Sequence, residues 1–410
     1  MAARPAAGAD GLAAGRGCGG FHDENGALPR ALQLSFLHRV PQTIAVQSLL
    51  IAPLDIPLHV PFGIAGGVQA MANNVLATIE LADGTRGHGE AAPLPPYNGE
   101  TQAQALAALR AAQAWIVGRE VNLSGWRALA AEFRARGGAA CGSAQCAFEM
   151  ALLDALTQQQ RQPLWKFFGG PSTGSGQAPH ELETDMTVTT GSAAEAAEAA
   201  RDIRARGIRM IKVKVGGKLG PAHDLARIAA IYDVAPDSPL ILDGNAGVSR
   251  AAASELVRGL QARGITPALL EQWLAKDDLA GARALMAESG WLVAADETVT
   301  TADDARRVVV ERAAQVINIK LMKAGLAEAL DIAAVVRAAG LRLMIGGNVE
   351  SILAMTVSAC FAAGQGGFDF ADLDTPFFLS ENPFDGGYAL DGGKISVAHI
   401  TAGHGVTPKK

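Results

Sequence analysis

From about residue 184 onward, short apolar runs alternate with Ala-rich segments of helical period, and this alternation limits the fold more than any other feature of the 410-residue chain. The strand-like runs cover 184–189, 210–215, 240–242, 269–271, 292–295, 316–319, 342–345 and 368–373. Helical periods fill 192–206, 222–234, 250–263, 280–289, 302–312, 326–339 and 350–363 between them. A strand that returns to its sheet through a helix pairs in parallel, and about eight such units close on themselves. This half of the chain is therefore predicted to be a (β/α) barrel.

The first half reads differently. Strands and turns occupy 44–51, 61–67, 74–81 and 87–91, with a turn at Asp83-Gly84. Helical periods follow over 102–117, 126–136 and 143–159, and Gly169-Gly170-Pro171 closes the last of them. A Ser/Gly/Pro-rich linker, 171–181, separates this α+β half (44–170) from the barrel half (182–375). Residues 1–43 have no period, and Asp10 is the one acid before Gly20, so they read as a disordered tail. A transit peptide fits the scarcity of acids but not the lack of serine; the reading is cytoplasmic, with organelle import as the alternative.

The formal charge of -6 and the absence of a Lys/Arg cluster speak against nucleic acid or an anionic membrane as partner. No apolar run is long enough for a membrane span. Cys18, Cys141, Cys146 and Cys360 show neither a metal spacing nor a disulfide framework, which fits a reducing compartment. The histidines are scattered, with His22, His38, His180, His399 and His404 in tails or linker, and they form no metal pattern. Trp126, Trp165, Trp273 and Trp291 read as packing residues. The partner left by these exclusions is a small molecule.

Charged residues stand at the C-terminal ends of the barrel strands in succession: Lys212 and Lys214, then Asp243, Glu271, Asp296 and Lys320, then Asp372 and Asp374. A barrel brings those ends to one mouth, where active sites of this fold lie. Asp243, Glu271 and Asp296 come from three consecutive strands, and hard oxygens without His or Cys suit Mg2+. One acid at a strand end is more often a helix cap. Three in phase, each after an apolar run, are read as metal ligands.

Lys212 and Lys214 flank Val213, so period two sends both ammonium groups into the barrel. Two like charges in a partly dry pocket disfavour ionisation, which predicts a lowered pKa for at least one of them. Lys320 ends a later strand and faces the pair across the mouth. With a metal between, this is a two-base site for moving the proton beside a carboxylate. The cation stabilises the second negative charge of the enediolate, and a base on each face removes the proton from one side and returns it from the other.

Several stretches resemble the muconate-lactonising subgroup of the enolase superfamily: Ile211-Lys-Val-Lys-Val-Gly216, Leu242-Asp-Gly-Asn245, Leu270-Glu-Gln272, Ala294-Ala-Asp-Glu297 and Ile317-Asn-Ile-Lys-Leu-Met-Lys-Ala-Gly325. Upstream, Gly87-His-Gly-Glu-Ala91 and Phe148-Glu-Met-Ala-Leu-Leu-Asp154 match as well, so the resemblance covers about residues 44–398. It implies an α+β N-terminal capping domain over a modified TIM barrel, (β/α)7β, with residues 376–410 returning to the cap. Phe370-Ala-Asp-Leu-Asp-Thr-Pro376 is similar to the Asp-x-Asp motif of the subgroup's dipeptide epimerases, in which Asp372 and Asp374 would hold the free ammonium of a dipeptide. The same resemblance implies Lys214 and Lys320 as the acid/base pair, Lys212 as the residue that steadies the carboxylate and tunes Lys214, and Thr187 as a substrate contact. The implied activity is Mg-dependent inversion of the α-carbon of the C-terminal residue, in a homo-oligomer.

One departure bears on the substrate. The 61–67 segment corresponds to the family's lid; where L-Ala-D/L-Glu epimerases carry an arginine for the substrate's side-chain carboxylate, this chain has Gly66-Gly67. That points to a dipeptide with an apolar second side chain. Gly346-Gly-Asn348 also leaves a small strand end. The alternatives within the subgroup, o-succinylbenzoate synthase or a cycloisomerase, use the same lysines and metal, but their substrates give Asp372 and Asp374 no ammonium to hold. A non-catalytic binding or structural barrel predicts eroded strand ends, whereas all three carboxylates and all three lysines are present.

Overall fold

The computed structural model describes residues 43–64, 67–171, 177 and 179–410. The predicted tail up to Gln42, residues 65–66 of the predicted lid, and linker residues 172–176 and 178 lie outside these. Thr43–Lys410 is one compact unit. No helix among the described residues is long and apolar enough to cross a membrane.

The first sheet is antiparallel and built around a long hairpin, in which Ile44–Ile64 pairs with Gly67–Leu81. Residues up to Ile64, predicted as part of a lid loop, continue this pairing as Phe62↔Gln69, Gly63↔Val68 and Ile64↔Gly67. The register shifts between Pro57 and Phe62, next to prolines that lack the N–H a regular ladder needs. Arg86–Ala91 and Glu120–Val121 complete the sheet.

Helix Gly142–Gln159 lies directly on the strand Arg86–Ala91, and alternating glycines make this possible. A Cβ on Gly87 would stand 2.3 Å from Ala151 O, and one on Gly89 only 2.1 Å from Ala147 O. Strand and helix backbones thus touch where any larger residue would push them apart. The helix is buried without interruption from Gly142 to Thr157, which accounts for a sequence with little polar face.

Two buried acids join this half to the barrel. Glu90 accepts hydrogen bonds from Ser351 N and Ala354 N at the start of helix Ile352–Gln365. Glu149 accepts from Leu326 N and Ala327 N at the start of helix Leu326–Ala338. Each carboxylate meets the positive end of a helix dipole and satisfies N–H groups that have no partner within the helix.

The barrel sheet contains eight parallel strands in chain order: Met186–Val188, Ile211–Lys214, Leu240–Asp243, Leu269–Glu271, Val293–Ala295, Val316–Lys320, Arg342–Gly346 and Phe368–Ala371. Its ends meet where Thr184 bridges to Ala371 and Asp185 N donates to Ala371 O at 2.9 Å. Ile241, Leu269, Ala294, Val316, Met344 and Phe370 form one buried cluster of strand residues, the packed interior typical of this fold. After the eighth strand no helix follows in register. The chain turns through Thr375–Phe377 into short strands, and His404 N donates to Asp154 Oδ1 on the buried helix of the first half. This is the (β/α)7β architecture with an N-terminal α+β cap.

Candidate active site

The parallel register aligns the charged strand ends. Lys214 pairs with Asp243 and Asp243 with Glu271, so these three residues form one row across neighbouring strands. Asp296 follows the fifth strand directly, and Lys320 ends the sixth. Sharp turns then lead the backbone away. A Cβ on Gly244 would meet Trp273 Cα at 2.7 Å, and Asn245, Ala246 and Gln272 are left-handed at φ 39, 59 and 36. Such conformations are strained for residues with a Cβ and tend to collect at functional sites. Here they direct Asn245 N onto Asp243 Oδ1 at 2.9 Å. They also let Gln272 Oε1 accept from Asp296 N at 2.8 Å, which ties the fourth strand end to the fifth.

Lys212, fully buried, lies among carboxylates: 3.0 Å from Asp243 Oδ2, 2.8 Å from Glu271 Oε2 and 2.7 Å from Asp372 Oδ2. Lys214 Nζ is 2.5 Å from Asp243 Oδ2. Burial alone would strip the proton from Lys212, but Asp243, Asp372 and Glu271 outweigh it and hold its pKa well above the ordinary lysine value. The lowered pKa predicted for the lysine pair is thus not found at Lys212. The sequence shows the neighbouring lysine but not three acids arriving from other strands. Burial acts the other way on Glu271, and with Asp243 beside it this carboxyl is pushed up to about 7.

Lys320 stands four strands from Lys214 in an eight-strand sheet, on the opposite wall. Its ammonium is 2.8 Å from Asp296 Oδ2 and 4.6 Å from the centre of the Tyr97 ring, and the Tyr97 hydroxyl donates to Asp296 Oδ1 at 3.1 Å. Burial opposes its charge as well, yet Asp296 more than compensates and raises the pKa above the usual range. Lys323 reaches the same carboxylate at 3.1 Å and also donates to Asp296 O and Asn318 O, both at 2.8 Å.

Asp372 and Asp374 lie beside the first strand, where Thr187 N donates to Asp374 Oδ2 at 2.7 Å. Burial, together with the neighbouring Asp372 charge, pushes the Asp374 carboxyl up to about 7. Asp185 sits alongside them, completely buried, with neither carboxylate oxygen hydrogen-bonded. Among the described residues, these three acids are the group in which one carboxylate oxygen from each lies within 4.8 Å of the other two. Asp243, Glu271 and Asp296 are not drawn together as closely, and Lys212 occupies the space between the first two.

All nine side chains singled out in the sequence (Thr187, Lys212, Lys214, Asp243, Glu271, Asp296, Lys320, Asp372 and Asp374) are buried at one end of the barrel. Sequence reasoning missed four residues that complete the arrangement. Asn318, which donates to Glu271 Oε1 at 2.7 Å, shares the strand face of Lys320 and could have been found by period two. Lys323 stood unassigned within a recognised motif. Asp185 shares a strand face with Thr187. Tyr97 comes from a loop of the first half, and no strand-end rule reaches it.

The donor set suits a hard divalent ion. Asp243, Glu271 and Asp296 offer only oxygens, and Asp243 and Glu271 are direct neighbours in the register. Glu271 Oε2 and Asp296 Oδ2 each face an ammonium group at 2.8 Å, Lys212 and Lys320 respectively, so both oxygens already serve as partners for positive charge. Leu94 and Tyr97 from the first half close over the mouth with Asn245, Gly347, Asn348 and Thr375, and no arginine is among the described residues lining the cavity.

Comparison with known proteins agrees with this geometry. Residues 47–169 match the N-terminal domain of mandelate racemase / muconate lactonizing enzyme, and residues 194–410 match an enolase C-terminal domain-like family. The chain is 50% identical over 368 residues to an aromatic dipeptide epimerase of Herpetosiphon aurantiacus, covering 90% of this chain and 99% of that protein. It superposes with TM-score 0.82 on the crystal structure of a mandelate racemase/muconate lactonizing enzyme from Roseiflexus sp., at 54% identity over 90% of this chain and 99% of that one. A dipeptide epimerase of Enterococcus faecalis, crystallised with Mg and the dipeptide L-Leu-L-Tyr, gives TM-score 0.81 at 29% identity, covering 88% of this chain and 99% of that one. Two domain matches in the right order, on a barrel with lysines on opposite walls and acids between them, show that the chain belongs to the mandelate racemase/muconate lactonizing enzyme family of the enolase superfamily.

Proposed function

We propose that the protein is a dipeptide epimerase that inverts the α-carbon of the C-terminal residue by two-base proton transfer. The observation that carries this reading is the placement of Lys214 and Lys320 on walls four strands apart, with Asp243, Glu271 and Asp296 between them. Asp243, Glu271 and Asp296 would hold Mg2+. When bound, the ion supplies positive charge to a substrate carboxylate as its α-proton leaves. Lys212, kept charged by the acids around it, adds a fixed cation beside that carboxylate. One of the two opposed lysines takes the proton and the other delivers one to the opposite face, which exchanges the configuration. Asp372 and Asp374 bind the free ammonium of the substrate, with Asp374 held in place by Thr187. This demand for an ammonium favours a dipeptide over the substrates of o-succinylbenzoate synthase or a cycloisomerase.

The second side chain of the substrate is apolar in this reading, and aromatic residues are the first to try. Leu94 and Tyr97 line the cavity and belong to an apolar cluster with Ile56, Val349 and Leu379, while the described lining offers no arginine to a side-chain carboxylate. The names of the aromatic dipeptide epimerase and of the L-Leu-L-Tyr complex point the same way. The test is a panel of L,L-dipeptides with Mg2+ in deuterated water, followed for deuterium at the C-terminal α-carbon. Incorporation is expected for dipeptides ending in Tyr, Phe or Leu and not for those ending in Glu. Incorporation only with acidic second residues would overturn the substrate assignment, and none with any dipeptide would overturn the activity.

A further inference from the structure

We propose that Tyr97 is a positioning residue for Lys320, so that a one-turn helix of the capping half sets the reach of one of the two proton-transfer lysines. This rests on the reading of Lys320 as an acid/base. The three groups form a closed triangle: the Lys320 ammonium lies 4.6 Å from the Tyr97 ring centre and 2.8 Å from Asp296 Oδ2, and the Tyr97 hydroxyl is 3.1 Å from Asp296 Oδ1. A lysine side chain is long and flexible, and one carboxylate partner leaves it free to swing. A ring face supplies a second attraction from a different direction, strongest where water is excluded, and the two together fix the nitrogen.

The loop that carries Tyr97 is itself fixed. Pro95 and Pro96 set the backbone of the helix Pro95–Asn98, Tyr97 N donates to Leu94 O at 2.8 Å, and left-handed Gly99 at φ 81 ends the turn. Glu100 then anchors the loop by accepting from Gly142 N at 2.8 Å and Ser143 N at 3.1 Å, the start of the buried helix. Tyr97 also lines a second cavity, of about 420 Å³, together with Asn245, Lys276, Glu297 and Lys323. Tyr97 thus borders both that space and the catalytic cavity, and removing its ring would both release Lys320 and enlarge the room for water beside it.

The test uses the full chain with Mg2+ and compares Tyr97→Phe and Tyr97→Leu with Lys320→Ala. In protein carrying carbon-13 lysine, the Lys320 side-chain signal, assigned by its loss in Lys320→Ala, is expected upfield in the wild type because it lies over a ring. It should stay there in Tyr97→Phe and move to an ordinary position in Tyr97→Leu. In deuterated water with an active dipeptide, inversion by Tyr97→Leu is expected to fall about tenfold or more, as a loss of fixed geometry would cause. Measured at saturating dipeptide, so that any loss of substrate contact with Tyr97 appears in KM alone, exchange without inversion from the epimer that Lys320→Ala still labels should keep its maximal rate within about twofold, because it depends on the other lysine. An unshifted lysine signal, undiminished inversion in Tyr97→Leu, or an equal fall of exchange from both epimers would each overturn the proposal. A Lys320→Ala enzyme that still inverts its substrate would instead overturn the reading of Lys320 on which it rests.

Discussion

Lys212 Nζ lies 2.7 Å from Asp372 Oδ2, and through this contact Asp372, just after the eighth strand, shares a cation with Asp243 and Glu271, 3.0 and 2.8 Å away. The proposed ammonium site and the proposed metal site are therefore one electrostatic unit. Removing its central charge leaves buried carboxylates without compensation, a loss of about 3–5 kcal/mol for a buried ion pair broken on one side. Lys212→Met is expected to lose stability on that scale in urea denaturation with a chelator present. Added Mg2+ should recover more stability in the variant than in the wild type, since it meets a site with excess negative charge.

Gly89 meets the buried helix without room for a methyl group. Gly89→Ala should destabilise the fold by at least about 1–3 kcal/mol, the usual cost of overpacking, and more if the helix cannot shift. Gly217, with nothing within 4 Å of its would-be Cβ, is the control, and Gly217→Ala should leave the thermal midpoint nearly unchanged.

Glu149 supplies a pH dependence of stability. Burial pushes its carboxyl from 4.5 up to about 7, so the native state binds this proton more tightly than the unfolded chain does. The resulting stabilisation is fully present below the unfolded value and is lost as the pH rises through about 7. Between pH 5 and pH 8 the group should cost the wild type about 2–3 kcal/mol, by the linkage relation. Glu149→Gln should lack this component, so the difference in unfolding free energy between the two proteins should change by that amount over the same range.

Asp374→Asn keeps an oxygen that can accept from Thr187 N but removes the charge proposed to bind the substrate ammonium. A charge-assisted hydrogen bond contributes about 1.5–3 kcal/mol, so KM for a free dipeptide should rise roughly 10- to 100-fold. The fall in kcat should be smaller, and steady-state kinetics separates the two.

The barrel and most of its charged mouth were legible because both follow from local period. Leu240–Asp243 and Leu269–Glu271 are short apolar strands ending in acids, and once eight such units close, their ends must converge. What the sequence did not convey depends on contacts between distant segments. The charge state of Lys212 is set by residues from the third, fourth and eighth strands. Tyr97 arrives from the capping half, and Asp185 becomes conspicuous only when the first strand meets the last. The hairpin pairing of Phe62 with Gln69 replaced a predicted loop because a run with three prolines, Pro53, Pro57 and Pro61, gives a weak strand signal, while the partner strand tolerates the register shift.

The most direct test of the central claim is the stereochemistry of proton exchange in the single-lysine variants. Each of Lys214→Ala and Lys320→Ala would be incubated with both epimers of one active dipeptide, with Mg2+ in deuterated water, and label at the C-terminal α-carbon followed by NMR. Opposed lysines predict that each variant loses inversion, labels one epimer with retention, and that the two variants choose opposite epimers. Labelling of the same epimer by both variants, or inversion surviving in either, would contradict an assignment of the two lysines to opposite faces.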